Sequence, residues 1–479
     1  EEGGDIETFP DSSIRNSDGT AVIIDTNVVE TFGELISVLR SKGGWRIDFA
    51  VPAGKSAERN FTDTALFGKW HLNYSPEGAG IDDWAVLDDQ GKYYNPDIIT
   101  PEGRSVVEGY ATDLVTDRSL AWLDARAGSD KPFALLIHHK APHRNFMPAL
   151  RHVQKYIGTE FPVPTNYFDH YDGRPAAAAQ EMNIYRDMYE GHDLKMTVEE
   201  GSRELRFNPW TDDFARMTPE QREAYFGALQ PGNDAMNAAD MSDREMAIWK
   251  YQRYMHEYLG TVAAVDDSVG RVLDWLENSG EADNTIVIYA SDNGRGPGRT
   301  PQQKIRGRKL STYEGGIRVP AIAWGPGLGL QAGAESSAVV RAMDWYPTLA
   351  TFAGIKVPKG RVIDGRDISP LLKGETKVVP PPGMKKSLNA SVPLRRRWNP
   401  PGEWKPLISR NEYNDAFFYH GSQGALAAVR WRNWKLYLNP SLQLYDLAKD
   451  PGESKFVRNR EIIRKLRGMA ILFQEEMRL

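Results

Sequence analysis

The sequence of 479 residues contains no cysteine. Disulfides, thiolate metal sites and a cysteine nucleophile are thereby excluded for this stretch. No apolar run approaches the roughly 18 residues that a membrane-spanning helix needs, so no transmembrane span is expected. Histidine is scarce, at 9 residues. Cations are not in excess: 59 Lys and Arg stand against 65 Asp and Glu, a formal charge of -6. That balance argues against a general affinity for nucleic acid. The opening residues, Glu1-Glu2-Gly3-Gly4-Asp5, are acidic and glycine-rich and do not read as a secretory leader. What is present is ordinary for a globular protein, 41% apolar and 26% charged. At about 150 residues per domain the length allows two to three domains. The 13 Trp and 20 Tyr have two readings, packing or the stacking of sugar rings.

Strand and helix patterns alternate along the chain. Thr20 to Ile24 reads as a short strand and Thr31 to Arg40 as a helix. Asp63-Thr64-Ala65-Leu66-Phe67 is a buried strand, Ser105 to Ala127 a helix, and Pro132 to Ile137 a second continuous apolar strand. Residues 144–240, rich in Pro, Tyr, Asn and Asp, read as surface excursions. Tyr258, Val262, Val265, Val269, Leu273 and Leu276 then mark one face of a long helix. Asn284 to Ala290 and Val319 to Trp324 follow as strands. Residues 376–406, with Pro380-Pro381-Pro382 and Arg395-Arg396-Arg397, form a linker or long loop, solvated or serving as a basic lip. Beyond it, 427–430 and 434–438 alternate as in a small antiparallel sheet, and Ile462 to Met477 is an amphipathic helix. The expected fold class is α/β, with a mixed, mainly parallel central sheet flanked by helices over residues 1–375. A smaller C-terminal α+β subdomain is expected over 407–479. Three strands end in polar clusters, which places those clusters at the rim where ligands of such sheets bind.

Each cluster has a plain reading and a chemical one. Lys69 and His71, just past a strand, can both reach one anion, Lys as a fixed charge and His as a hydrogen-bonding or proton-transfer group. Alone they could equally be a surface lysine beside a packed histidine. His138-His139-Lys140-Ala141-Pro142-His143-Arg144 holds three of the nine histidines beside two cations. It suits an anion site with a general acid better than a metal site, and His138 and His139 are the members that could merely pack. Asp292 and Asn293 offer hard oxygens to Ca²⁺ or, less well, Mg²⁺, or they form a simple Asp-Asn-Gly turn. Arg306 to Arg318 is a loop dense in cations and glycines, able to approach a tetrahedral dianion closely, or a solvated basic turn.

Taken together these segments resemble the type I sulfatases of the alkaline-phosphatase superfamily. Thr64 to Leu72 resembles that family's second signature, and Tyr289 to Gly294 its calcium-ligand segment. Arg306-Gly307-Arg308-Lys309 with Tyr313 to Pro320 resembles its late active-site loop. Asp344 to Leu349, Leu444 to Leu447 and Asp450-Pro451-Gly452-Glu453 resemble its C-terminal region. The resemblance covers residues 60–455. It implies an alkaline-phosphatase-like fold, calcium as cofactor, and a periplasmic or secreted location. It implies that Lys69 holds the sulfate and the nucleophile, that His71 hydrogen-bonds the nucleophile, and that His143 protonates the leaving oxygen or binds sulfate. Lys309 would bind sulfate, and Asp292 and Asn293 would supply calcium ligands. Arg144, His139, Arg308 and Glu314 are expected at the substrate.

The family's nucleophile pattern, Cys/Ser-X-Pro-Ser-Arg, is not in the sequence. Asp11-Ser12-Ser13-Ile14-Arg15 is its nearest counterpart, and Asp25 a poor substitute for the family's first aspartate pair. Two expectations follow: a sequence without its proper N-terminal part, or a variant that has lost hydrolysis. His139 to Arg144 and Tyr167 to Arg174 look like sulfatases acting on N-acetylglucosamine-6-sulfate, whereas Ser291 to Pro320 looks like arylsulfatases A and B. The leading expectation is therefore a carbohydrate sulfatase with a sulfated sugar as its partner. A protein that binds sulfated glycans without cleaving them is the second, and a phosphoesterase of the same superfamily the third.

Overall fold

A computed structural model describes residues 63–72, 75–129, 131–164, 167–168, 183–202, 204–209, 212–294, 312–354, 357, 363, 365–375, 407–409, 412–413, 415–421, 425–439 and 441–477. The expected strand at 20–24, the helix at 31–40, Asp11 to Arg15, Asp25, Arg306 to Lys309 and the 376–406 linker lie outside these residues. The first strand, β1 (Asp63–Lys69), is buried along almost its whole length. It pairs in parallel with β2 (Asp83–Leu87) on one side and, beyond β3 (Asp97–Thr100) and β4 (Gly103–Val106) in sequence, with β5 (Phe133–His138) on the other. The sheet order is β4-β3-β2-β1-β5, with β3 and β4 joined antiparallel. The sheet is thus mixed, with its parallel part at β2, β1 and β5. Side chains alternate across β1 as the pleat requires. Ala65 and Phe67 enter the main core, whereas Leu66 packs on the opposite face with Trp70, Ile81, Trp84 and Val86.

Helix α1 (Ala111–Ala125) covers the main-core face. The expected start near Ser105 is displaced because Ser105 is strand, and Gly109 takes a left-handed φ of 137° before the helix begins. Tyr110 still joins the core and donates its hydroxyl to the Met147 carbonyl at 2.8 Å. Within the region read as surface excursions lies a full helix, α2 (Pro219–Ala238). Thr218 caps it in a reciprocal box with Gln221, and Pro219 occupies its first turn. The long helix is α3 (Asp243–Ser279), 37 residues capped by Ser242 and Glu245 and stopped at Gly280 in the left-handed region. Its C-terminal half packs Val265, Val269, Val272, Leu273 and Leu276 against β1, β5, β6 (Val287–Ala290) and Trp324 of β7 (Ala321–Trp324). Each such side chain, fully buried, contributes about 1.5–3 kcal/mol relative to exposure. Its N-terminal half forms a second core, rich in aromatics, with Phe146, Phe161, Ile184, Met188 and Leu194.

A short helix, α4 (Glu314–Ile317), precedes β7, which pairs antiparallel with β6. Helix α5 (Trp345–Phe352) follows. The last unit is a four-stranded antiparallel sheet, β8 (Phe417–His420), β9 (Leu426–Trp431), β10 (Trp434–Tyr437) and β11 (Gln443–Asp446). Helix α6 (Arg460–Met477) lays Leu466, Met469, Ala470 and Leu472 on one of its faces.

Gly68 fixes how β1 ends. Its φ is 112°, and a Cβ there would lie 2.0 Å from the His138 carbonyl oxygen. Gly68→Ala therefore combines a strained backbone with a clash against backbone. Urea unfolding is expected to show a loss of about 3 kcal/mol, the upper end of the cost of one strained backbone position.

Candidate active site

The parallel strands β1 and β5 put their carboxyl ends side by side, with Gly68 opposite His138. Lys69 closes β1 and is buried. Its carbonyl accepts from His138 Nδ1 at 3.1 Å. Burial holds the His138 imidazole at a pKa of about 4, so it is neutral at physiological pH and carries its proton on Nδ1. Two residues on, His71 takes a left-handed φ of 47° and is half-exposed. Asp89 Oδ1 lies 3.1 Å from its Nε2, and the Gln90 amide nitrogen 3.0 Å from its Nδ1. Donor and acceptor needs are met when Nε2–H donates to Asp89 and Nδ1 accepts from Gln90.

The segment after β5 turns back over this edge. Lys140 is buried; its Nζ donates to the Gln90 carbonyl at 3.3 Å and sits 4.9 Å from the Tyr93 ring centre. Burial, with the charges of Lys69 and Lys92, pushes the Lys140 ammonium down to about 8, against the pull of Asp213 and Asp89. His143 donates from Nδ1 to the Arg144 carbonyl at 2.7 Å, and its own carbonyl accepts from the Tyr93 hydroxyl at 2.6 Å. The proton on Nδ1 leaves Nε2 as the nitrogen that gains and loses a proton. Arg144 forms a two-pronged pair with buried Asp193, with Nε 2.7 Å from Oδ1 and Nη2 on Oδ2. It also stacks 4.6 Å over the Tyr189 ring. Lys69 and His71 thus sit at the end of β1, and Lys140, His143 and Arg144 just after β5, where the two carboxyl ends adjoin, with Lys140 and His71 both contacting Gln90.

Two expected substrate contacts stand elsewhere. His139 is in the core: its Nε2 is 3.0 Å from Ser268 Oγ on α3, and burial pushes its pKa to about 3. It serves packing between β5 and α3. Glu314 is 3% exposed and lies 2.9 Å from Lys435 and 3.3 Å from Arg430, so its carboxylate is committed to the C-terminal sheet. Asp292 and Asn293 follow β6; Asp292 is exposed and Asn293 half-buried. Their donor type fits a hard cation. Among the described residues no group of three His, Cys, Asp or Glu gathers to hold a metal, so the pair supplies at most part of a shell. Lys309 and Arg308 lie outside the described residues.

Sequence reasoning missed the counter-charges. Asp213 accepts Lys92 at 2.9 Å and lies 3.6 Å from His192 Nε2. Lys195, fully buried, donates to the carbonyls of Asn145 and Phe146 at 2.6 and 2.8 Å and pairs with Glu257 at 3.1 Å. It thereby fixes the backbone next to His143 and Arg144. These partners lie tens of residues away in sequence, with no local spacing to announce them. Only Lys140 sat inside a recognised string.

Comparison with known proteins gives the family. A family model described as Sulfatase matches residues 62–355. The chain is 39% identical over 319 residues to an N-acetylglucosamine-6-O-sulfatase of Bacteroides thetaiotaomicron, covering 66% of this chain and 55% of that protein. It is 30% identical over 245 residues to the N-acetylgalactosamine-6-sulfatase of Mus musculus, covering 49% of this chain and 45% of that protein. The chain thus spans about half the length of these relatives. Among solved structures, BT4656 in complex with its substrate D-glucosamine-2-N,6-O-disulfate superposes with a TM-score of 0.70 at 28% identity, over 95% of this chain and 90% of that one. The PsFucS1 sulfatase from Pseudoalteromonas sp. shares the fold, with a TM-score of 0.51 at 15% identity over 95% of this chain and 81% of that one.

The Lys140 ammonium gives a test with a definite sign. Its pKa is lowered in the folded state from 10.5 to about 8. Between those values the unfolded chain binds more protons, so stability rises with pH across that window. Below pH 8 the buried charge is a full penalty. Unfolding free energies of wild type minus Lys140→Met, measured from pH 7 to 10.5, are expected to increase steadily; a flat difference would place Lys140 in solvent.

Proposed function

The chain belongs to the sulfatase family, and from that premise we propose that it hydrolyses sulfate esters of carbohydrates, with 6-sulfated N-acetylglucosamine or glucosamine as the substrate class. The observation that carries the reading is the placement of Lys69 and His71 at the carboxyl end of β1 beside Lys140 and His143, which follow the adjoining end of β5. Its support from relatives is the name N-acetylglucosamine-6-O-sulfatase and the glucosamine disulfate bound in the similar structure.

Hydrolysis replaces the sugar oxygen on sulfur by an oxygen derived from water and returns the sugar as an alcohol. As the sulfur–oxygen bond breaks, negative charge grows on the sugar oxygen. His143 Nε2 delivers the proton that oxygen needs, since Nδ1 is held by the Arg144 carbonyl. Lys69 and Lys140 offset the charge of the sulfate, and partial burial strengthens both effects. Lys309 is assigned to sulfate binding with them. Asp292 and Asn293 are assigned to calcium, which would add a positive charge at the sulfate oxygens. A periplasmic or secreted location belongs to the same proposal. Among the described residues no helix is long and apolar enough to cross a membrane.

The absence of Cys/Ser-X-Pro-Ser-Arg from these 479 residues favours a second reading, binding of sulfated glycans without turnover. One experiment separates the two. The purified chain is incubated with calcium and N-acetylglucosamine-6-sulfate, glucosamine-2-N,6-O-disulfate, and N-acetylgalactosamine-4- and 6-sulfates, and free sulfate is followed by anion chromatography. Release from the glucosamine 6-sulfates, several-fold above the galactosamine esters, is the expected result. Binding of the same sugars by calorimetry with no release would establish the second reading, and neither binding nor release would sink both.

The ion assignment has its own check. Asp292→Asn removes one charged ligand, and calcium titration is expected to show at least about a tenfold weaker affinity, or about 1.4 kcal/mol. An unchanged titration would remove Asp292 from the ion site.

A further inference from the structure

The C-terminal sheet meets the rest of the chain through a buried group of charges that the proposed chemistry does not use. Lys435, on β10, is completely buried. Its Nζ donates to the Thr312 carbonyl at 2.7 Å and to Glu314 Oε1 at 2.9 Å, and lies 3.1 Å from Glu453 Oε1. Arg430, on β9, reaches Glu314 Oε2 at 3.3 Å. Glu453 accepts from the Glu314 backbone N–H at 2.9 Å and from the Tyr437 hydroxyl at 2.9 Å. Two cations face two carboxylates, so the group is buried without net charge.

What this group grips is the informative part. Thr312 and Glu314 open the described chain that leads into helix α4. Helix α4 then presents Gly315 and Gly316 to the turn after β6. Gly294 donates its N–H to the Gly316 carbonyl at 2.9 Å, as antiparallel neighbours would. A Cβ at position 294 would lie 2.2 Å from the Gly315 carbonyl oxygen, so nothing larger than glycine fits between them. Gly294 directly follows Asn293. One junction therefore joins three pieces: the Asp292-Asn293 turn, the segment from Thr312 to Gly316, and strands β9 and β10.

We propose that Lys435 and Glu453 are positioning residues that hold the Asp292-Asn293 turn in place, which makes the C-terminal sheet a working part of the active site. This rests on reading Asp292 and Asn293 as site residues. Neither Lys435 nor Glu453 touches substrate or ion in this scheme; each acts through Thr312 and Glu314. The motif Asp450-Pro451-Gly452-Glu453, which the chemistry leaves without a role, gains one: it delivers Glu453 to the junction.

The test uses the full chain and three variants, with two readouts. Glu453→Gln keeps the size and one acceptor oxygen while removing the charge, and so preserves folding. Lys435→Met empties the centre of the group, and Lys435→Arg keeps its charge. Amide hydrogen exchange reports the coupling without any ligand. In Glu453→Gln and Lys435→Met, exchange is expected to accelerate by about tenfold or more at residues 291–294 and 312–318 while 259–276 of α3 stays as in wild type, and Lys435→Arg is expected to recover part of the protection. Calcium titration of Glu453→Gln is expected to show an affinity weakened by about fivefold or more, although Glu453 is no ligand, through loss of the turn's fixed geometry. Acceleration confined to β9, β10 and β11, with 291–294 unchanged, would overturn the proposal. If wild type binds neither calcium nor sulfated sugar, the reading of the site fails, and the exchange pattern still decides whether the junction couples these segments.

Discussion

The contact on which the rest of this structure turns is the approach of β1 to β5 at Gly68. With no side chain at 68, the backbone of β1 passes against the His138 carbonyl and ends level with it. A parallel pair has no preferred end of its own; its register comes from what each strand buries. Here Ala65, Phe67 and Ile137 lock that register into the main core, and the polar residues that follow emerge side by side. Lys69, His71, Lys140 and His143 owe their proximity to this alignment rather than to any affinity among themselves. All four are basic groups, and setting them close together costs free energy that nearby acids offset, Asp89 at His71 and Asp213 at Lys140.

That cost is distributed rather than left at the rim. Carboxylates from the segment between β5 and α3, and one from α3 itself, form pairs around it: Asp193 takes Arg144, Asp213 takes Lys92, and Glu257 of α3 takes Lys195. A buried pair of this kind is a weak source of stability, but breaking one strands a charge and is severe. The pairs therefore act chiefly as constraints on geometry. Lys195 shows this most directly, because its ammonium spends two of its hydrogens on the backbone carbonyls of Asn145 and Phe146, immediately after Arg144. The loop that carries His143 and Arg144 is held by hydrogen bonds from a buried lysine to its main chain.

Much of the fold was legible because it is written in local patterns. The apolar runs of β1 and β5, the period of α3 and the alternation in the C-terminal sheet all correspond to elements, although α3 begins at Asp243, well before Tyr258, the first residue of the expected face. Helix α2 was missed although Thr218-Pro219-Glu220-Gln221 spells out its capping box, because the Pro- and Tyr-rich surroundings suggested irregular chain. The motifs place Lys69 and His71 at the end of β1 and His143 and Arg144 just after β5, strands whose carboxyl ends lie side by side. His139 and Glu314 are turned to other partners, since a motif gives the order of residues and not the direction a side chain takes. One step past the end of β5 separates Lys140, which reaches Gln90, from His139 against Ser268. Glu314 faces a partner more than a hundred residues later, a pairing that no window of sequence contains.

The distance in sequence between Glu314 and its partners has a consequence for how the molecule comes to exist. The chain leaves the ribosome from its N-terminus, and domains form as they emerge. The central sheet, α1 and α3 are complete in sequence by residue 290, so their core can close early. Thr312 and Glu314 cannot meet Lys435 until more than a hundred further residues have been made, nor Glu453 until later still. Through that interval the Glu314 carboxylate must remain hydrated, and the segment around it has no neutralising partner to bury it. The scaffold is therefore finished first, and the strands that neutralise Glu314 are among the last to be synthesised.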